Sequence, residues 1–255
     1  MSLEKYTVEK DQFILKDEEL GLDRILPFTL PRLPHDLFAP KLLQPGDLLV
    51  LEKDPVGDLR AAFLTRDGKK HGQCHLFYTE GQLQAEMFYQ MGKLHGPSLF
   101  YGMQGQVLSR TYFCEGKREG KAHLFFSSEK TASIQRFKDG AWDGIQEYFY
   151  EDGSIRSLLS YKAGKLDSEV QLFWENGQKK RSTHYQEGKR NGSDRIWNEK
   201  GILIDEGQYL HGEPTGTHRH FFPSGQLKEE IVYHTPIQSS RREWDIDGNL
   251  LEKKL

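Results

Sequence analysis

The chain has 255 residues, with 35 basic and 38 acidic side chains and a formal net charge of −3. That balance does not favour non-specific attraction to nucleic acid. Mean hydropathy is −0.71, and no apolar run approaches the ~18 residues of a membrane-spanning helix. Cys74 and Cys114 are too few for a disulfide framework and read as thiols of a reducing compartment.

The N-terminal stretch MSLEKYTVEKDQ carries acidic residues where a signal peptide has an apolar core, so a cytoplasmic location is expected. Export by a route that needs no such signal stays open. Next, DQFILKDEELGLDRIL has the spacing of a short amphipathic helix. It is followed by LPFTLPRLPHDLFAP, where proline rules out a helix or a central strand. Residues 1–45 therefore form a non-repeating, proline-rich N-terminal arm. It reads either as a cap on the remainder of the chain or as a docking arm for a partner.

From residue 46 to 255 the chain repeats, with seven clear copies over about 66–235. Gly68, Gly92, Gly116, Gly140, Gly164, Gly188 and Gly212 recur every 24 residues without insertion or deletion. A trailing column holds Gly72, Gly96, Gly120, Gly144, Gly192 and Gly216, with Ser168 as the exception. A third column runs Gly81, Gly105, Glu129, Gly153, Gly177, Gly201 and Gly225. A fixed period of this size means one supersecondary unit stacked many times. Each unit has two turn signals, one of the GKLHG kind and one of the EDGS or ENGQ kind, separated by segments of strand length. The paired glycines are assigned to turns, where positive φ costs them little. Aromatic residues fill one column at Phe77, Tyr101, Phe125, Phe149, Phe173, Trp197 and Phe221. A second column runs Tyr89, Phe113, Phe137, Tyr161, Tyr185, Tyr209 and Tyr233. The expected fold is all-β: an elongated, single-layer antiparallel meander of stacked 24-residue hairpins. Whether the first aromatic column is buried or exposed is open at this point.

The unit Y-x-x-G-K-x-x-G, followed by F/Y-x-x-x-G-x-L, resembles the MORN repeat, and more closely its bacterial variant, whose members are often labelled antitoxin-like. YQMGKLHGPSLFYGMQGQV and YQEGKRNGSDRIWNEKGIL carry the likeness best. The resemblance implies a twisted single-layer sheet serving as a scaffold, an interaction surface or, in some members, a lipid contact. Glu129, Ser168 and Pro236 depart from the pattern, which puts the form of those turns in question.

Nothing in the repeat points to chemistry. His71 and His95 hold the same position in adjacent hairpins, about 10 Å apart, too far to share one zinc ion. His218 and His220 fall on one side of a strand without an evident third ligand. GKREGK lacks the spacing and the hydroxyl residue of a phosphate loop. No catalytic residue, metal or cofactor is expected, because a site needs unlike residues converging on one place. The expected function is a non-catalytic protein-interaction scaffold. Peripheral binding of anionic phospholipid and neutralisation of a toxin are the alternatives. The charges of the seven six-residue loops at 67–72, 91–96, 115–120, 139–144, 163–168, 187–192 and 211–216 cancel, which ranks a protein partner, of unknown identity, above lipid headgroups and gives no role to nucleic acid. Arg195 and Arg219, beside Trp197 and Phe221, are the candidate anchors for that partner.

Overall fold

The structure, a computed structural model, describes the backbone of residues 2–9, 12–17, 22–25, 46–235 and 237–251, with side chains from 46 onward except at 236 and 238. No helix forms among these residues, and strand after strand pairs antiparallel with its neighbour. Contacts divide the chain into a unit of residues 1–129 and a unit of residues 130–255. Each is a meander of hairpins.

The first unit begins with a departure from expectation. The segment read as an amphipathic helix forms the strands Gln12–Asp17 and Leu22–Ile25. A lone helix this short is marginal in water, whereas Ser2–Glu9 offers Gln12–Asp17 a ready hydrogen-bond ladder. Ser2–Glu9 also pairs with Leu48–Lys53, and Gln12–Asp17 with Leu22–Ile25. Leu48–Lys53 thus returns beside the first strand, a Greek-key order. The proline-rich stretch LPFTLPRLPHDLFAP and Pro236 lie outside the described residues.

The repeating hairpins use two connections. In the first, Gln90 pairs with Lys93 and only Met91 and Gly92 intervene. Their φ values are +47° and +86°, the signature of a type I′ turn, whose twist matches that of the strands. The same geometry recurs at Asp67–Gly68, Glu115–Gly116, Asp139–Gly140, Ala163–Gly164, Glu187–Gly188 and His211–Gly212. The second connection is a three-residue loop. At 102–106, Gly105 N–H bonds the Gly102 carbonyl and Gly102 N–H bonds the Gln106 carbonyl. Gly105 has φ +84°, which makes a type I turn closed by a left-handed bulge residue. Glu129 at φ +64° and Ser168 at φ +69° keep the left-handed backbone of the glycines they replace.

The trailing glycines differ from the sequence reading. Gly72, Gly96, Gly192 and Gly216 lie inside strands, and Gly120 and Gly144 open strands. Met87 pairs with Ser98 and Tyr89 with Leu94, so residues 95, 96 and 97 face Phe88 alone. This is a bulge, and positive φ at Gly96 turns the strand through it. Sequence cannot tell a turn glycine from a bulge glycine four residues away, because both answer the same need for positive φ.

Successive hairpins are stitched by a 20-residue contact. His71 accepts the Met91 N–H, His95 that of Glu115, Asp143 that of Ala163, Asp167 that of Glu187 and Asn191 that of His211, at 3.1–3.5 Å. His71 and His95 thus serve as backbone acceptors, a role that Asp and Asn fill elsewhere in the column. At the other strand ends, Tyr78 donates to the Tyr101 carbonyl, Tyr150 to that of Phe173 and Trp174 to that of Trp197.

One face of the first unit buries Val50, Ala61, Phe63, Cys74, Ala85 and Met87, with Leu76, Tyr89 and Leu94 packed beside them. Leu49, Leu51, Ala62 and His75, on the other face of the same strands, are also buried. One buried column runs through the repeats as Cys74, Ser98, Ala122, Gln146, Val170, Asp194 and His218. It is apolar or small in the first unit and largely polar in the second. The first aromatic column is half-buried, except for Phe77, which is buried.

Candidate interaction surface

The polar end of the buried column is held by specific bonds. Asp194 receives the Arg181 guanidinium on both oxygens and the Thr183 hydroxyl at 2.7 Å. Arg190 approaches it at 3.4 Å and stacks over the Tyr209 ring at 3.8 Å. Burial pushes the Asp194 carboxyl up, but the bonds from Arg181 and Thr183 outweigh it and hold the group below its usual range. His218 sits between the Tyr209 and Tyr233 rings, edge-on at 5.1 and 4.8 Å, with Nε2 2.8 Å from the Gln208 carbonyl. A Cβ at Gly207 would stand 2.3 Å from its ring, so Gly207 makes the room. His220, on the same strand, contacts Asp205 and Glu229. Among the described residues no group of three or more His, Cys, Asp or Glu is placed to hold a metal ion.

The candidate anchors lie in the strands Lys189–Trp197 and Glu213–Phe221. Register puts Arg195 opposite Glu206, Glu206 opposite Arg219, Arg219 opposite Glu230 and Glu230 opposite Arg242. The side chains follow the register. Arg219 bonds Glu206 and Glu230, each at 3.1 Å, Arg195 comes within 3.8 Å of Glu206, and Arg242 within 3.4 Å of Glu230. The result is a row of alternating charge across five strands. Bonds to Glu206 and then Glu230 push the Arg219 guanidinium up from its ordinary range. The arginines stand outward, with Arg195, Arg219 and Arg242 side chains 51, 42 and 63% exposed. Glu206 and Glu230 sit deeper, at 25 and 15%. Trp197 and Phe221 are half-buried; Lys179 Nζ lies 5.8 Å from the Trp197 ring centre.

Arg195 and Arg219 are thus brought together through one carboxylate, Glu206. Glu206, Glu230 and Arg242 were not singled out from the sequence. The signal that finds them is hairpin register: in an antiparallel pair, partners have a constant sum of residue numbers until a bulge intervenes.

This arrangement defines a class before it defines a family: a protein of stacked β-hairpins whose turns repeat while its surface residues vary. The chain carries MORN-variant repeats. The MORN repeat variant matches at residues 70–91, 142–163 and 214–234, three periods apart. No curated protein matches the chain. Among solved structures, "Crystal Structure of TcdB2-TccC3-Cdc42" is similar at 12% identity and TM-score 0.17, over 78% of this chain. The present chain spans 13% of the length of that one, and so weak a likeness carries no argument.

Proposed function

We propose that this protein is a non-catalytic scaffold that binds a protein partner in a reducing, cytoplasmic compartment. The observation that carries this reading is the row from Arg195 to Arg242, in which the last repeats place arginine and glutamate on a constant frame, where the arginine column of earlier repeats holds Leu99, His123, Glu147 and Gln171. MORN repeats are non-enzymatic modules for contact with proteins or lipids, which supports a scaffold. Half-exposed arginines beside the half-buried Trp197 and Phe221 rings have the composition that protein interfaces favour. Buried Cys74 and exposed Cys114 are both free thiols, as a reducing compartment permits.

The test inverts the row while keeping its pairs: R195E/E206R/R219E/E230R/R242E. Partner capture by chemical cross-linking in a cell extract should be lost, with the melting temperature close to that of the parent. Capture that survives would move recognition to residues 1–45. Flotation of the parent with anionic liposomes, abolished by the same inversion, would favour a lipid contact over a protein.

A further inference from the structure

A second surface lies at the three-residue-loop end of the second unit's strands, between the loops at 150–154 and 174–178. There a groove of about 470 Å³ is lined by Tyr150, Trp174, Glu175, Asn176, Lys180 and Glu199. Its walls are tied down. Tyr150 Oη donates to the Phe173 carbonyl at 2.8 Å, and Trp174 Nε1 to the Trp197 carbonyl at 3.1 Å. Asn176 accepts the Gln178 N–H at 2.9 Å and donates to the Glu199 carbonyl at 2.7 Å. The rings are therefore placed before any ligand arrives, which lowers the entropy cost of binding.

Two features define what fits. Glu175 and Glu199 are exposed, and neither carboxylate has an ion-pair partner among the described residues. The Trp174 ring already carries a cation: Lys180 Nζ stands 4.1 Å from its centre, within the range of a cation–π contact. We propose that the groove binds a basic, extended segment of a partner protein, whose lysine or arginine side chains reach the two glutamates and compete with Lys180 for the indole. Glu175 and Glu199 belong to successive repeats, two strands or about 10 Å apart. A single small cation reaches one of them. A polyproline-type segment advances about 3.1 Å per residue with three residues per turn, so side chains three apart share a side about 9 Å apart. Such a segment meets both carboxylates at once. The groove adjoins the arginine row at Trp197 but shares no lining side chain with it, and the proposal does not depend on that reading.

The experiment uses the full chain and a proline-based peptide with lysine at every third position, followed by indole N–H resonances and calorimetry. Comparison peptides carry glutamate in place of lysine, or a single lysine. The triple-lysine peptide should saturate and shift the Trp174 indole signal, and W174L should weaken it by about threefold to tenfold. K180Q should tighten binding more than K200Q, although both remove one positive charge from neighbouring positions. Inverting the arginine row should change neither result. The proposal is overturned if K180Q and K200Q act alike, if W174L binds as the parent does, or if the single-lysine peptide binds equally well. The first two outcomes would leave only diffuse attraction to an acidic edge.

Discussion

The side-chain amide of Gln146 closes on the backbone of Arg136 twice, accepting its N–H at 2.7 Å and donating to its carbonyl at 3.2 Å. The bulge at Gly144 takes the neighbouring strand out of register with Arg136. For the Arg136 N–H the amide stands in for the missing strand neighbour, while the Arg136 carbonyl also accepts the Asp143 N–H at 3.0 Å. His218 serves the Gln208 carbonyl in the same column. This explains why the core turns polar without leaving backbone groups unpaired.

Gln146→Leu keeps the volume and removes these two bonds and a third, from the same amide to the Gly144 carbonyl at 3.0 Å. It should cost about 1–3 kcal/mol in urea unfolding. A loss below about half a kcal/mol would mean that water replaces the amide.

Gly207 and His218 should behave as one unit. Gly207→Ala alone should destabilise by about 1–3 kcal/mol through overpacking. In a double-mutant cycle with His218→Ala, the combined loss should be smaller than the sum of the two single losses. Additive losses would show that the ring and the glycine are independent.

Glu129 and Ser168 adopt left-handed backbone without the freedom of glycine. Relief of that conformation is worth ~1–2 kcal/mol, and the added flexibility of the unfolded chain takes back ~0.5–1 kcal/mol. Glu129→Gly and Ser168→Gly should each stabilise by about 0.5–1 kcal/mol, read as a rise in melting temperature. A fall in either variant would indicate that the native side chain makes a contact worth more than the strain.

His75 is buried, and burial pushes its imidazole down to about 4 from 6.5. It stays neutral in the folded protein while the unfolded chain takes up a proton below 6.5. Stability is therefore lost as pH falls from about 6.5 towards 4, by up to about 3 kcal/mol. His75→Leu, which installs the residue that the next repeat carries at Leu99, should flatten this dependence. Urea midpoints at pH 7 and pH 4.5 decide it; identical slopes for parent and variant would rule the role out.

The Asp194 site should lose stability in a lower window. Its carboxyl is held below the ordinary 3.8 in the folded state, so its contribution is present above that value and disappears as pH falls through the folded pKa. Arg181→Met strands a buried carboxylate and should cost about 3 kcal/mol. Asp194→Asn leaves a guanidinium that already reaches solvent, and should cost less than half as much. Equal losses would contradict this asymmetry.

Much of this architecture can be read from spacing. The 24-residue period, the two turns and the aromatic columns are periodic facts, and strand alternation converts them directly into hairpins. Features that depend on the third dimension escape. Gly96 looks like a turn residue until pairing shows Ser98 opposite Met87. Phe77 and Phe149 share a column, yet only Phe77 is buried, because the first unit packs on both faces of its early strands. Residues 12–25 form strands because a neighbour is available to pair, which no local pattern records. Arg195 and Arg219 were visible as a pair, but Glu206 between them required knowledge of the register.

The stitch from each turn to the hairpin before it, which also includes a backbone bond, has a consequence for how such a chain can change length. Gly188 N–H finds the Leu166 carbonyl and Gly212 N–H that of Arg190, so each copy presents to its successor the same acceptors it received. Excising residues 165–188 would join Gly164 to Lys189 and hand the next copy an identical docking edge. Cutting one residue more or fewer would turn every later side chain in the strand through the sheet. Gain or loss of sequence within the regular repeats therefore preserves the docking edge when it comes in whole modules of 24 residues.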